Sequence, residues 1–253
     1  MIGNPPWDKV ELLEKEWFSS RRPEIANAKT AAKRKQAIRK LEEADPTLFK
    51  LYRHELRSTD GVRHFARDSG RFPYGSVGRV NTFGLFAEIA FGTISDRGRT
   101  GILLPTGLAV DDSYKEFFQH LVDGNRLISL FDFENRKQLF PNVQGNVTFA
   151  CFTIGENIDG EIAMAAQLDD PSQLADPERR YSLSKHDIKR INPNTRTCPI
   201  FRRARDAQLV RHFYACHPVI CTESNPPANP YDLRWRQGLF NLTSDSGAFR
   251  TLE

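Results

Sequence analysis

At 253 residues the chain has room for one large domain, or for a domain with a smaller appendage. With 39% hydrophobic residues and 18 Phe it has the composition of a folded protein, and 36 basic against 32 acidic side chains is too small an excess to define a nucleic-acid binder by charge alone. Its four cysteines, Cys151, Cys198, Cys216 and Cys221, include no CxxC pair, which excludes a dense disulfide framework and fits a reducing cytoplasm; His212, Cys216, His217 and Cys221 match no standard zinc-ligand spacing, so no metal is expected.

The first stretch, Asn4-Pro5-Pro6-Trp7, is the one tetrapeptide whose residue types make sense mainly as chemistry. Each proline holds its predecessor extended and donates no N–H, so the Asn4 side-chain oxygen and the Pro5 carbonyl can converge on one external amino group. Trp7 adds a flat aromatic face. Two acceptors and a ring describe a pocket for a planar heterocyclic amine such as an extruded nucleobase. A second Asn-Pro-Pro, at 225–227, is followed by Ala228 instead of an aromatic ring and reads as a plain loop.

Val10, Leu13 and Trp17 recur at helical spacing and predict an amphipathic helix over 8–19, packed on a sheet. Residues 24–43 predict a second helix on the stripe Ile25, Ala28, Ala32, Ile38 and Leu41. A third, over 46–57, carries Leu48, Leu51, Tyr52 and Leu56. Lys33, Arg34, Lys35, Arg39 and Lys40 make this region the most basic in the chain, which suits either DNA phosphates or a solvated helix face. Residues 61–80, with Gly61, Gly70, Gly75 and Gly78, read as a long loop, in the manner of a lid.

An apolar helix over 80–92, a strand at 100–104 and a helix over 111–122 follow. The runs 127–133 and 147–154 are β-rich and joined by the polar segment Gln138 to Asn146, which contains Phe140. Beyond 155 only a strand over 162–168 and a helix over 205–215 stand out. The longest apolar run, Gly101 to Val110, is too short for a membrane span and is interrupted by Pro105.

Asn4-Pro5-Pro6-Trp7 resembles the catalytic Asn-Pro-Pro-aromatic motif of S-adenosylmethionine-dependent amino-methyltransferases, especially gamma-order adenine-N6 DNA methyltransferases of restriction-modification or phage-defence systems. Asn81 to Glu88 resembles the helix after that family's catalytic loop, Gly98 to Pro105 its next strand, and Leu139 to Val143 with Val147 to Ile154 its late hairpin. The resemblance covers about residues 1–155 and grows vague afterwards.

It implies an α/β fold: the C-terminal part of a Rossmann-like methyltransferase sheet, from its fourth strand onward, with a helical insertion at about 19–60. Residues 156–253 would be an extension leading into a target-recognition region. It further implies methyl transfer from S-adenosylmethionine to adenine N6 in double-stranded DNA. Asn4, Pro5 and Pro6 would form the catalytic loop, Trp7 and Phe140 would stack the base, and Phe86 would touch the cofactor. Lys33, Arg34, Lys35, Arg39 and Lys40 would meet the DNA backbone.

Two other readings stay open: a protein-glutamine or RNA amine methyltransferase, and a non-catalytic DNA-binding or assembly module. Only three residues precede Asn4, and Leu252-Glu253 resembles a cloning-site remnant. The sequence is therefore expected to be a piece of a longer protein that binds no S-adenosylmethionine by itself and self-associates through its exposed fourth-strand edge.

Overall fold

The computed structural model describes residues 1–224, 226–234, 238 and 247. Asn225, most of 244–249 and Leu252-Glu253 lie outside the described residues. The described chain is α/β, built on one six-stranded sheet. Its strands are β1 (Ile2–Gly3), β2 (Arg99–Pro105), β3 (Leu127–Glu134), β4 (Thr148–Gly155), β5 (Glu161–Leu168) and β6 (Tyr181–Ser184), in spatial order β1-β2-β4-β3-β5-β6.

β1 runs parallel to β2, pairing Ile2 with Gly101, and β4 enters antiparallel between β2 and β3. The expected hairpin of the two β-rich runs is present, but it does not close the sheet. β5 adds parallel to β3, and β6 adds antiparallel to β5. One face of the interior strands is fully buried, with Leu104, Leu130, Phe152 and Ile154 showing no exposed surface, while Cys151 of β4 on the other face is exposed.

The helices are α1 (Glu14–Ser19), α2 (Pro23–Ala26), α3 (Ala31–Ala44), α4 (Pro46–Asp68), α5 (Thr82–Thr93), α6 (Gly107–Val110), α7 (Lys115–Asp123), α8 (Lys185–Ile191) and α9 (Ala204–Cys216). α5 and α7 pack on the sheet through Phe83, Ala87, Phe117, Phe118 and Leu121. The first four helices have a core of their own, formed by Phe18, Ile25, Ile38, Leu41 and Tyr52.

Three expectations about this insertion are corrected. The first helix begins at Glu14 rather than residue 8, and Trp17 and Phe18 bury against Tyr52 of α4, not against the sheet. Val10 instead joins Val80 and Ala66, pulled there by its backbone N–H bond to the Val80 carbonyl (3.0 Å). The second helix is broken at 27–30, where Thr30 caps α3 by accepting from the Lys33 N–H (3.2 Å), which leaves Ala32 exposed.

The third helix runs on to Asp68. Asp45 caps its start, and the burial of Ala66 continues the apolar stripe past Gly61, whose cost of about 1 kcal/mol in a helix is overridden. The loop is therefore 69–80. It is seated on α5 by Glu88, whose buried carboxylate accepts the Gly75 N–H (2.7 Å) and the Tyr74 N–H (3.3 Å). A Cβ on Gly75 would meet the Gly84 carbonyl oxygen at 2.5 Å, so glycine is required where loop and helix backbones touch.

Candidate functional site

The chain leaves β1 at Gly3, so Asn4 to Trp7 lie just beyond the carboxyl end of that strand, beside the end of β2. In open α/β sheets this is the side on which ligands are received. Here Asn4, Pro5, Trp7, Leu103, Phe140, Val143, Val147 and Phe149 line one pocket of about 190 Å³. Asn4, Pro5, Trp7 and Phe140 thus meet in one cavity, whereas Pro6 does not line it. A cavity of about 150 Å³ holds a benzene ring, so this volume suits one flat heterocycle and is well below the roughly 300–1,000 Å³ typical for drug-sized ligands.

The lining carries no charged side chain, and its one polar side chain is the Asn4 amide. Neither that amide nor the Pro5 carbonyl has a hydrogen-bond partner among the described residues. Both acceptors are free for a ligand. Trp7 packs against the cluster of Phe133, Phe149, Ala165 and Leu168, with its indole Nε1 shielded from solvent and unpaired among the described atoms. Its ring is held by packing alone.

The loop's conformation is set by Thr82, a residue that sequence reasoning passed over. Its hydroxyl accepts the Asp8 N–H (2.9 Å) and donates to the Pro6 carbonyl (2.7 Å), while its own N–H donates to the Asp8 carbonyl (2.9 Å). Lys9 pairs with Asn81, and the Asn81 side chain caps α5 by accepting from Phe83 N–H (3.2 Å). The start of α5 is thereby also the anchor of the Asn-Pro-Pro loop.

Phe140 is positioned from the inside, by Asn135. That side chain has no exposed surface; its amide donates to the carbonyls of Phe140 (3.0 Å) and Val143 (2.8 Å), and its oxygen accepts the Phe140 N–H (2.9 Å). Phe140 then meets Phe149 edge-on at 5.1 Å, and Phe149 stacks on Phe133 at 5.4 Å. On the sheet face opposite the Phe149 wall, Asp132 of β3 accepts the Thr106 hydroxyl (2.5 Å) and the Gln167 N–H (2.9 Å), tying the residue after β2 to the irregularity in the β3–β5 pairing. Burial shifts this carboxyl's pKa upward despite both bonds.

The other predicted residues lie apart from this pocket. Phe86 is 43% exposed on the outer side of α5, not buried in the core, and Ile89 is exposed on the same helix. Lys33, Lys35, Arg39 and Lys40 are exposed on α3, whereas Arg34 turns inward, its Nε donating to Glu14 (2.9 Å) with 13% of its side chain exposed. Among the described residues, no three His, Cys, Asp or Glu side chains come together as a metal site, and no helix is long and apolar enough to cross a membrane.

No protein-family model matches the chain, and no curated protein matches it. Among solved structures, it is similar to the type I restriction-modification system methyltransferase subunit from Streptococcus thermophilus, with 13% identity and a TM-score of 0.39 over 54% of this chain and 34% of that one. It is also similar to the type IIG restriction endonuclease BpuSI, with 18% identity and a TM-score of 0.30 over 44% of this chain and 12% of that one. A third is the ATP-dependent type ISP restriction-modification enzyme LlaBIII bound to DNA, with 8% identity and a TM-score of 0.36 over 72% and 12%. The chain spans about a third of the length of the first and about an eighth of the other two. At these scores no residue role carries across, and function rests on the pocket.

Proposed function

We propose that the chain supplies the catalytic loop and base-stacking walls of a restriction-modification DNA methyltransferase that methylates adenine N6, with S-adenosylmethionine as donor. The observation that supports this reading is the meeting of Asn4, Pro5, Trp7 and Phe140 in one uncharged pocket sized for a single ring. Asn4 Oδ1 and the Pro5 carbonyl accept the two hydrogens of the exocyclic amine, which draws the nitrogen lone pair out of conjugation with the ring. Trp7 and Phe140 stack the base. Extrusion costs a few kcal/mol and each aromatic stack returns about 1–3, so two rings offset it.

The fit to S-adenosylmethionine is poor. Phe86 is an exposed apolar wall, and the nearby carboxylate of Glu88 is committed to the Gly75 and Tyr74 N–H groups. Lys33, Lys35, Arg39 and Lys40 are proposed to meet DNA phosphates, with Arg34 excluded by its pair with Glu14. The two-residue edge strand β1, with Ile2 94% exposed, is proposed as a self-association edge, which sedimentation of the chain with and without Ile2→Lys would read as a lost dimer.

The test is a comparison of two duplexes, one fully paired and one with a mismatched adenine, whose extrusion is cheaper. The chain is expected to prefer the mismatch, Trp7→Ala to lose the preference by roughly 5- to 150-fold, and Trp7→Phe to keep most of it. Equal affinity of the wild-type chain for both duplexes would defeat the reading. Asn4→Ala should stop methyl transfer in the whole enzyme while duplex binding survives, because phosphates carry most of the affinity.

A further inference from the structure

A second cavity, also of about 190 Å³, begins two residues past Trp7 and is lined by Lys9, Glu11, Arg63, Arg67 and Arg79 with Val10 and Val80. Its walls come from three places: the segment after Trp7, the last turns of α4 and the end of the 69–80 loop. The cations are compensated unequally. Arg63 pairs with Asp60 at 2.6 Å, and Arg79 reaches Glu11 only at 3.8 Å with 77% of its side chain exposed. Arg67 donates to the Gly78 carbonyl, a neutral acceptor at a residue whose φ of +56° suits glycine. Neither Arg67 nor Lys9 has a carboxylate within ion-pair distance among the described residues. The groove is therefore positively charged, because its four cations face only the carboxylates of Glu11 and Asp60.

We propose that this groove holds the phosphodiester backbone of the strand whose base enters the Trp7 pocket. The inference rests on the base-pocket reading and adds to it a binding site made of Lys9, Arg63, Arg67 and Arg79. Position and chemistry both carry it. Lys9 is two residues from Trp7, at most about 7 Å along an extended chain. Consecutive phosphates on one strand of a duplex advance by about 3.4 Å along the axis, so the groove faces phosphates one or two steps from the extruded base. Guanidinium groups bind phosphate oxygens in bidentate fashion, and Arg79 is exposed enough to do so. A strand fixed beside the flipped nucleotide is also what extrusion needs, since the backbone must stay put while the base rotates.

The experiment measures binding of the chain to the paired and the mismatched duplex over a series of salt concentrations, for the wild type, Arg79→Gln and Lys9→Gln/Arg79→Gln. Removing each phosphate contact is expected to flatten the slope of log K against log salt by about 0.9, hence by about 1.8 for the double variant, with equal loss on both duplexes. Arg79→Gln alone guards against misfolding, because so exposed a side chain is expendable to the fold. An unchanged slope in the double variant, or a wild-type chain with no salt-dependent binding, overturns the proposal. The two readings fail separately: a slope effect without mismatch preference sinks the base pocket and spares the groove. Mismatch preference with an unaltered slope does the reverse.

Discussion

Two loops meet across the pocket, and they are held by opposite means. The Asn4-to-Asp8 loop is short, stiffened by two prolines and fastened from the solvent side by the Thr82 hydroxyl and the backbone of 80–82. The 138–146 connection is longer and is fastened from within by the fully buried Asn135 amide. The first loop is pre-set by its own covalent chemistry, so its anchor only refines it. The second has a single proline, Pro141, and three short backbone bonds, and leans more heavily on one side chain for its shape.

The largest expected effect tests that dependence. Asn135→Ala would leave the Phe140 N–H and the Val143 carbonyl without partners in a partly buried place, while the Phe140 carbonyl keeps the Val143 N–H, at roughly 1–3 kcal/mol for each unsatisfied group. Chemical denaturation should show a loss of about 3 kcal/mol. A loss below 1 kcal/mol would mean that the connection is held elsewhere.

Thr82→Val keeps the shape and removes the hydroxyl, and should cost about 1–2 kcal/mol, less than Asn135→Ala because the prolines and the Thr82 N–H still hold the loop. Hydrogen exchange at the Asp8 amide should quicken while exchange in the sheet does not. If Thr82→Val matched Asn135→Ala in cost, the contrast between the loops would be lost.

The smallest effect on stability is expected at Phe140, which is 36% exposed: Phe140→Ala should cost about 1 kcal/mol or less in denaturation. It should nevertheless weaken binding of the mismatched duplex by about 1–3 kcal/mol, measured by fluorescence anisotropy. A side chain that matters more to a ligand than to the fold would sharpen the contrast with Asn135, which reaches the pocket only by holding Phe140 in place.

The same contrast explains what the sequence disclosed. Asn4, Pro5 and Trp7 stood out by residue type and spacing and Phe140 only by the resemblance of its segment, and all four line the pocket. Thr82 and Asn135 did not stand out, since each acts on backbone groups that the fold alone brings near, and an Asn after a strand is ordinary in composition. The only available hint lay in Asn81-Thr82, two hydrogen-bonding side chains at the start of an apolar helix. The sheet's apolar runs announced β2, β3 and β4 plainly, whereas α4 outran its prediction because burial of Ala66 against Val10 and Val80 outweighs Gly61. The groove of Lys9, Arg63, Arg67 and Arg79 was invisible, its members scattered over three segments with no local run of charge.

The order of the strands sets a timetable. β4 fits between β2 and β3, and β1 joins the outer side of β2, so the pocket combines the first residues of the chain with a segment near its middle. Closing so long a separation costs chain entropy that local contacts do not repay, and such pairings form late. The α3–α4 hairpin, made of neighbours in sequence, needs no such closure. In refolding, the helical signal should therefore rise well before Trp7 becomes shielded, and the chain passes through a state with its insertion built and its pocket absent.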